Sequence, residues 1–556
     1  MTRIPHILIA ALAALTLMSA LTACAAQAAP PDAVRVGGPS APADSKIAIV
    51  GSATRLAGKR FTVVDPGGKT VLSGKLTASP GTPAPWKFAS RADLSKITTP
   101  GSYKVRVGRL TSRAWVVKTG AQTAPILTML QYFTTQSDGN EPAGGRGPAH
   151  LNDGIIANGP FQGQKFDLTG GWMDAGDTLK FMNTTAYAAM ALQAAARLDP
   201  ADSAALNNAA DVGIRWILKA HPAPGLFIGQ VGDARDHDLG FRDPTTDDAS
   251  GKPGIAERLA FPNMGGDIGG KAAAALALAA DRTPPGEARD RLIQQAREWY
   301  DAGEAADKPA PKLPAPAGDF YIADRFEDAM AAGAAALYRA TGEQQYVADA
   351  IDWLAGYDPD GSLSWNGVAG FAAADLCGVL GAPGAADEAA RARACDHLGA
   401  HGRLAATRSR KLAFGTPGTL GWGTTGENAS GALAVLAERA GKLPGGRAVG
   451  AGARDWLLGR NAWDSSFITG FGPRSPRNPH HWASVFGKGL PKGAVVGGPA
   501  DLKSIREQGP DIGGFKPGKF DAPVAAYEDR IDDYVTSEPA IDYTAGSILL
   551  LAAVGS

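Results

Sequence analysis

From Gln122 onward the chain is dominated by Ala/Leu-rich stretches with apolar residues three and four apart, and these stretches recur in pairs. That spacing lines one face of an α-helix. The stretches lie near 122–135, 178–197, 203–220, 267–280, 287–303, 323–340, 343–355, 366–379, 385–408, 426–440, 446–458 and 539–554. Breakers such as Thr283-Pro284-Pro285-Gly286, Thr341-Gly342 and Leu443-Pro444-Gly445-Gly446 separate several of them. About twelve helices in six hairpins suit a ring that closes on itself, because alanine lets neighbouring helices approach closely. The expectation is a mainly α architecture, a six-hairpin α/α toroid, with residues 121–556 as one domain.

Upstream the character changes. Ile47–Val50, Phe61–Val64, Val71–Leu76, Ser102–Val107 and Ala114–Val117 are short β-prone runs, separated by turn signals such as Asp65-Pro66-Gly67-Gly68. They predict a small all-β sandwich over 45–120, with no cluster of chemistry-bearing side chains. Residues 25–44 are Ala/Pro/Gly-rich and read as a tether. At the start, Arg3 precedes an apolar run from Ile7 to Leu21, too short to span a bilayer and suited to a signal peptide over 1–24. Leu21-Thr22-Ala23-Cys24 resembles a bacterial lipobox, which implies export and a membrane anchor on Cys24; cleavage at Ala26-Gln27-Ala28 would instead release a secreted chain. Cys377 and Cys395 then remain as an even pair, open to a disulfide or to two buried thiols. With 55 basic and 55 acidic side chains the chain lacks the basic surplus that nucleic acid binding needs.

Three loops stand out as long and rich in Gly, Pro, Asp, His and aromatic residues: Gln136–Gly176, Gly225–Gly266 and Ala462–Glu538. Loops beyond about 12–15 residues in a compact domain are usually functional or disordered. Their large aromatics argue for cleft walls. Gly265–Lys271 superficially resembles a phosphate loop, but Ala272 stands where Ser or Thr is required. No zinc, metalloprotease, dinucleotide or serine-nucleophile motif is present. Gly170–Lys180 (GGWMDAGDTLK) sets Asp174 and Asp177 three residues apart at an expected helix start, with Trp172 beside them. Carboxylates at such a start are stabilised as anions. Gly459–Ser484 carries Trp463 and the adjacent His480 and His481, and Tyr527–Gly546 places Glu538 just ahead of the last helix.

These three blocks, in this order, resemble glycoside hydrolase family 9, a cellulase family built on a six-hairpin α/α toroid. His150-Leu151-Asn152-Asp153, Asp236-His237-Asp238, Leu337–Gly342 and Gly497–Asp501 agree with it. The 45–120 segment is similar to the immunoglobulin-like domain that often precedes the family's catalytic domain. The resemblance implies inverting hydrolysis of β-glycosidic bonds, most naturally in β-1,4-glucan, with no catalytic metal or cofactor. Asp177 would be the general base, Asp174 would help hold the water, and Glu538 would be the general acid. In inverting enzymes two such carboxyls stand about 6.5–9.5 Å apart. A base must stay ionised and an acid protonated, so Glu538 would need burial and neighbours such as Asp532, Asp533 and Asp542 to raise its pKa.

Sugar faces would stack on aromatics, with Trp172, Trp463, His480, His481, Trp482 and Tyr534 as the binding set and Trp365 and Trp422 behind them. The chain also departs from the family pattern. Trp482 stands for an Arg after the His pair, Ser537 for the Asn before the acid, Thr544 for a later Asn, Met173 for an aromatic and Lys271 for a Glu. These changes leave room for exo action on other oligosaccharides such as glucosamine oligomers, with Trp482 closing one end of the cleft, or for a glycan-binding lipoprotein without turnover. A structural calcium near the Asp233–Asp248 loop and a monomeric state complete the expectations.

Overall fold

Alanine-rich helices that are apolar on every side must be surrounded by other helices. The computed structural model describes residues 29–381, 384–385, 387–486, 489–508 and 514–556. The signal peptide, Cys24 and the start of the tether lie outside the described residues. The twelve expected helices form as α1 (Thr123–Gln136), α2 (Met182–Leu198), α3 (Ser203–Lys219), α4 (Gly266–Asp281), α5 (Glu287–Ala306), α6 (Glu327–Thr341), α7 (Gln345–Ala355), α8 (Ala369–Leu376), α9 (Glu388–Arg408), α10 (Gly431–Arg439), α11 (Gly446–Leu457) and α12 (Ile541–Gly555). The even-numbered helices are the inner ring: each packs on the next, and α12 closes onto α2. In α4 every residue from Gly266 to Ala280 is buried. The odd-numbered helices lie outside and bury one face only, as α3 and α7 show. Close approach explains the glycines: a Cβ on Gly270 of α4 would sit 2.3 Å from the backbone of Ala329 in α6.

The helix expected from residue 178 begins later, at Met182, because Lys180–Phe181 is a strand. That strand joins a small sheet with Ile155–Ile156, Leu259–Pro262 and Ile228–Val231, which ties two of the long loops together. The Asp174 and Asp177 segment is therefore a loop fixed by that sheet, and the expected helix start is corrected.

The N-terminal sandwich has one sheet of Ala33–Arg35, Ile47–Ser52, Phe88–Asp93 and Thr77–Ala78, in that order. Its other sheet pairs Thr70–Lys75, Arg60–Val64, Gly101–Val107 and Leu110–Thr111, with Trp115–Val117 also on Gly101–Val107. Ala33–Arg35 falls in the segment expected to be tether. Val34 and Val36 are buried there, so the chain from Ala33 belongs to the sandwich. The sandwich docks on the toroid through charge and aromatic contacts. Arg35 donates to the Ala462 carbonyl at 3.0 Å, and Arg113 donates to Asp464 at 3.1 Å. Trp86 packs on Phe414 and Phe520 with ring centroids 5.3 and 5.7 Å apart. Cys377, at the end of α8, is disulfide-bonded to Cys395 of α9, which decides the alternative left open by the sequence.

Candidate active site

The long loops gather at one end of the ring around a cleft of about 720 Å³. Asp174, Asp177 and Glu538 all line it. Glu538 sits between the short helix Tyr534–Ser537 and α12, which starts at Ile541. Its Oε1 accepts the Gly176 N–H at 3.2 Å, and its carbonyl accepts from Gly497 at 2.8 Å. Burial, and then the charge of Asp177, push its carboxyl up to about 8. The like-charge neighbours that raise it are thus Asp177 and then Asp174, rather than the expected Asp532, Asp533 or Asp542. Asp533 instead caps the short helix by accepting from Thr536 N–H at 3.0 Å.

Asp177 keeps its place through two bonds. Its Oδ1 accepts from Leu179 N–H at 3.2 Å, and its Oδ2 lies 2.8 Å from His237 Nδ1. His237 is carried by the short helix Ala234–Asp238, whose N-cap is Asp233. The Asp177 bond raises this imidazole to about 9, so a cation faces the Asp177 carboxylate. The helix dipole assumed from sequence is replaced by this cation. Asp174 is almost fully buried, with its Oδ1 accepting from Thr184 Oγ1 at 2.5 Å and its Oδ2 accepting from the Tyr321 hydroxyl. Burial raises its carboxyl to about 7 against the pull of those two hydroxyls. Tyr321 adopts φ 47°, a rare conformation for a residue with a bulky side chain. Its ring stands edge-on to Trp365 at 5.1 Å. His237 and Tyr321 are the contacts that sequence reasoning missed as site residues. The first lay inside a motif without a role, and the second has no local signal in a Pro-rich segment.

The expected binding aromatics divide sharply. His480 and Tyr534 line the cleft, 5.8 Å apart between ring centroids, and Trp422 leans on Tyr534 at 5.3 Å. Trp365 lines it too. Trp172, His481, Trp482 and Trp463 do not, and those expectations are corrected. Trp172 is 0% exposed and packs edge-on against Phe133, because the chain doubles back on α1 there. His481 is fully buried; its Nδ1 accepts from Ala483 N–H, so its Nε2 carries the hydrogen donated to Gln136 Oε1 at 2.9 Å. Burial and His480 push this ring down to about 3, so it is neutral. Gln136 in turn donates to the carbonyls of Met173 and Ala175, so His481 supports the carboxylate loop from behind. Trp482 is 2% exposed against Met173 and closes no end of the cleft. Trp463 donates to Asp521 at 2.8 Å outside the cleft lining.

Of the six aspartates in the segment where calcium was expected, Asp233–Asp248, three are ion-paired. Asp233 pairs with Arg235, Asp236 with Arg242 and Arg258, and Asp247 with Arg242 and His150. Those three carboxylates, already neutralised by cationic partners, have little charge left for a divalent cation. Among the described residues no group of three His, Cys, Asp or Glu is placed to hold a metal.

Residues 125–551 match the model of glycosyl hydrolase family 9, and 41–112 match the cellulase N-terminal ig-like domain. The chain belongs to glycosyl hydrolase family 9. Its curated relatives in the family include endoglucanase 1 of Oryza sativa subsp. japonica, 30% identical over 66% of this chain and 67% of that protein. Another is endoglucanase 14 of Arabidopsis thaliana, 33% identical over 43% of this chain and 49% of that protein. The chain spans about half the length of the Arabidopsis relatives that it matches first. A solved thermostable endoglucanase from Alicyclobacillus acidocaldarius, a single mutant, shares the fold. Its TM-score is 0.80 at 23% identity, covering 95% of this chain and 100% of that one.

Within this family 9 cleft, Gly176 joins the carboxylate loop to Glu538. A Cβ at that position would lie 2.2 Å from the His480 carbonyl oxygen and 2.9 Å from Glu538 Oε1. The Gly176→Ala variant is therefore expected to displace Glu538 and lower kcat about 10²-fold, the cost typical of an ångström-scale misplacement. Steady-state kinetics with a circular dichroism control for folding would check it; wild-type turnover would show that the contact is dispensable.

Proposed function

We propose that the cleft hydrolyses β-1,4-glucan with inversion at the anomeric carbon. The observation that carries this reading is that Glu538, whose buried carboxyl is pushed up to about 8, and Asp177, bonded to His237 at 2.8 Å, open onto one aromatic-walled cleft. In this reading Asp177 takes a proton from a water molecule as its oxygen attacks the anomeric carbon. Glu538 gives its proton to the departing glycosidic oxygen, so the bond breaks without a free alkoxide. Each oxygen of Asp174 accepts one hydroxyl and keeps a lone pair for that water. Stacking falls to Trp365, Trp422, Tyr534 and His480.

Turnover needs Glu538 protonated. Because its pKa is raised to about 8, the acid form is present below that value and is lost as pH rises through it. The kcat–pH profile on soluble glucan is expected to fall on its alkaline side near pH 8. An alkaline limb near the ordinary glutamate value would contradict the assignment.

A second reading, turnover of glucosamine oligomers, draws on the cleft's charge. Asp238 and Asp319 line it and, among the described residues, no Lys or Arg does. Parallel assays of cello- and chitosan oligomers separate the two. The same proposal includes export with a lipid on Cys24, a tether before Ala33, a sandwich to residue 120, a catalytic domain over 121–556 and action as a monomer. Among the described residues no helix is long and apolar enough to cross a membrane.

A further inference from the structure

Behind the Asp177 end of the cleft lies a buried charge network that the chemistry does not use directly. His150 is 1% exposed, with Nδ1 2.8 Å from Asp138 Oδ1 and Nε2 3.0 Å from Asp247 Oδ2. A neutral imidazole has one N–H, so its other nitrogen would aim a lone pair at a carboxylate oxygen. Only the imidazolium donates to both.

Charge balance points the same way. Lys180 bridges Asp138 and Asp153, Arg258 pairs with Asp138, Asp153 and Asp236, and Arg242 pairs with Asp236 and Asp247. Within these ion pairs four carboxylates face three permanent cations, and a charged His150 makes the fourth; Arg146 stands beside Asp138 but donates to the Ser137 carbonyl. A neutral His150 would turn a lone pair on one of the two carboxylates it bridges, away from water, which is costly.

The network ends on the proposed base. Asp236 accepts from Thr178 Oγ1 at 3.0 Å, and Arg258 donates to the Thr178 carbonyl at 2.5 Å. Thr178 follows Asp177 in sequence, and Asp236 precedes His237. Both halves of the Asp177–His237 pair are thus one residue from the same buried contact.

We propose that His150 is a positioning residue, held as a buried imidazolium, through which this network fixes Asp177 against His237. The inference rests on the reading of Asp177 as base. Burial and the Arg258 charge push the His150 pKa down, and the bonds and charges of Asp138 and Asp247 outweigh them, leaving it raised. The other charged groups at hand are Lys180 on its strand, Arg146 beside Asp138, and Asp248, which accepts from Leu151 N–H. A raised folded value means that the stabilisation is complete below the unfolded pKa and is lost as pH rises through the folded one.

Nitrogen NMR of histidine-labelled protein tests the charge state without reference to activity. At about pH 7.5, a unit above the ordinary histidine value, two imidazoles are expected to keep both ring nitrogens protonated: that of His237, raised to about 9, and one that vanishes in His150→Gln. Variants at the other histidines assign it by elimination should His150→Gln not fold. A neutral His150 ring at that pH overturns the proposal. In Asp247→Asn the doubly protonated His150 signal is expected to disappear at lower pH than in wild type, and an unchanged titration overturns the bridging geometry. His150→Gln is expected to lower kcat roughly tenfold to a hundredfold with little change in KM, and to speed backbone hydrogen exchange over 231–247. Wild-type kcat and exchange in that variant overturn the positioning role. If wild type cleaves no glucan, the hydrolytic reading fails, and the NMR and exchange results still decide whether a charged His150 holds this segment in place.

Discussion

Glu538→Gln is expected to lower kcat on soluble β-1,4-glucan by about 10²–10⁴-fold, with KM nearly unchanged. Glutamine keeps the size of the side chain and can still accept the Gly176 N–H, but it has no acidic proton to give. The loss should depend on the leaving group. A glycoside that releases a nitrophenolate needs little protonation, so the variant should keep most of its rate on such a substrate while failing on glucan. Equal losses on both would mean that Glu538 supports the fold rather than supplying a proton.

Stability should move the other way. Glu538 binds its proton with a pKa raised from 4.5 to about 8, so the folded state holds more protons than the unfolded one between those values, and stability falls as pH rises across the window. At neutral pH this costs about 3 kcal/mol by proton linkage. Glutamine removes the titration, so the variant should melt higher than wild type at pH 7 and lose that advantage at pH 5. Such an exchange of stability for activity is common where a site holds a strained or desolvated group.

Asp177→Asn is the second large effect, again about 10²–10⁴-fold in kcat. Here a better leaving group should rescue nothing, because the missing step is removal of the proton from water. The variant also leaves His237 without its anionic partner. The His237 imidazole, raised to about 9 chiefly by that bond, should titrate nearer the ordinary histidine value. Retained turnover with Asp177→Asn, or an unchanged His237 titration, would contradict the pairing.

The ring was readable in the sequence because helix periodicity and alanine content are local and repeated. All twelve helical stretches are found, with ends displaced by a few residues. The convergence of Asp174, Asp177 and Glu538 on one cleft was readable because ordered motifs carry all three. What escaped depended on tertiary contacts. Trp172 and Trp482 look like stacking surfaces in one dimension, yet the fold turns both inward against Phe133 and Met173. The helix start assumed for Asp174 and Asp177 is pre-empted by Lys180–Phe181, whose pairing with Ile228–Val231 joins loops some fifty residues apart. Nor does the run of aspartates over 233–248 show that Arg258 reaches Asp236 through space. His237 could have been suspected from its place between two aspartates, whereas Tyr321 had no such cue.

The most direct test follows the anomeric proton of the product by NMR during the first minutes of glucan hydrolysis. Two carboxyls acting from opposite sides of the sugar through one water molecule release the α-anomer first, with the β form growing in only by mutarotation. Release of the β-anomer first would mean a covalent intermediate on one of the carboxyls and would contradict the roles given to Asp177 and Glu538.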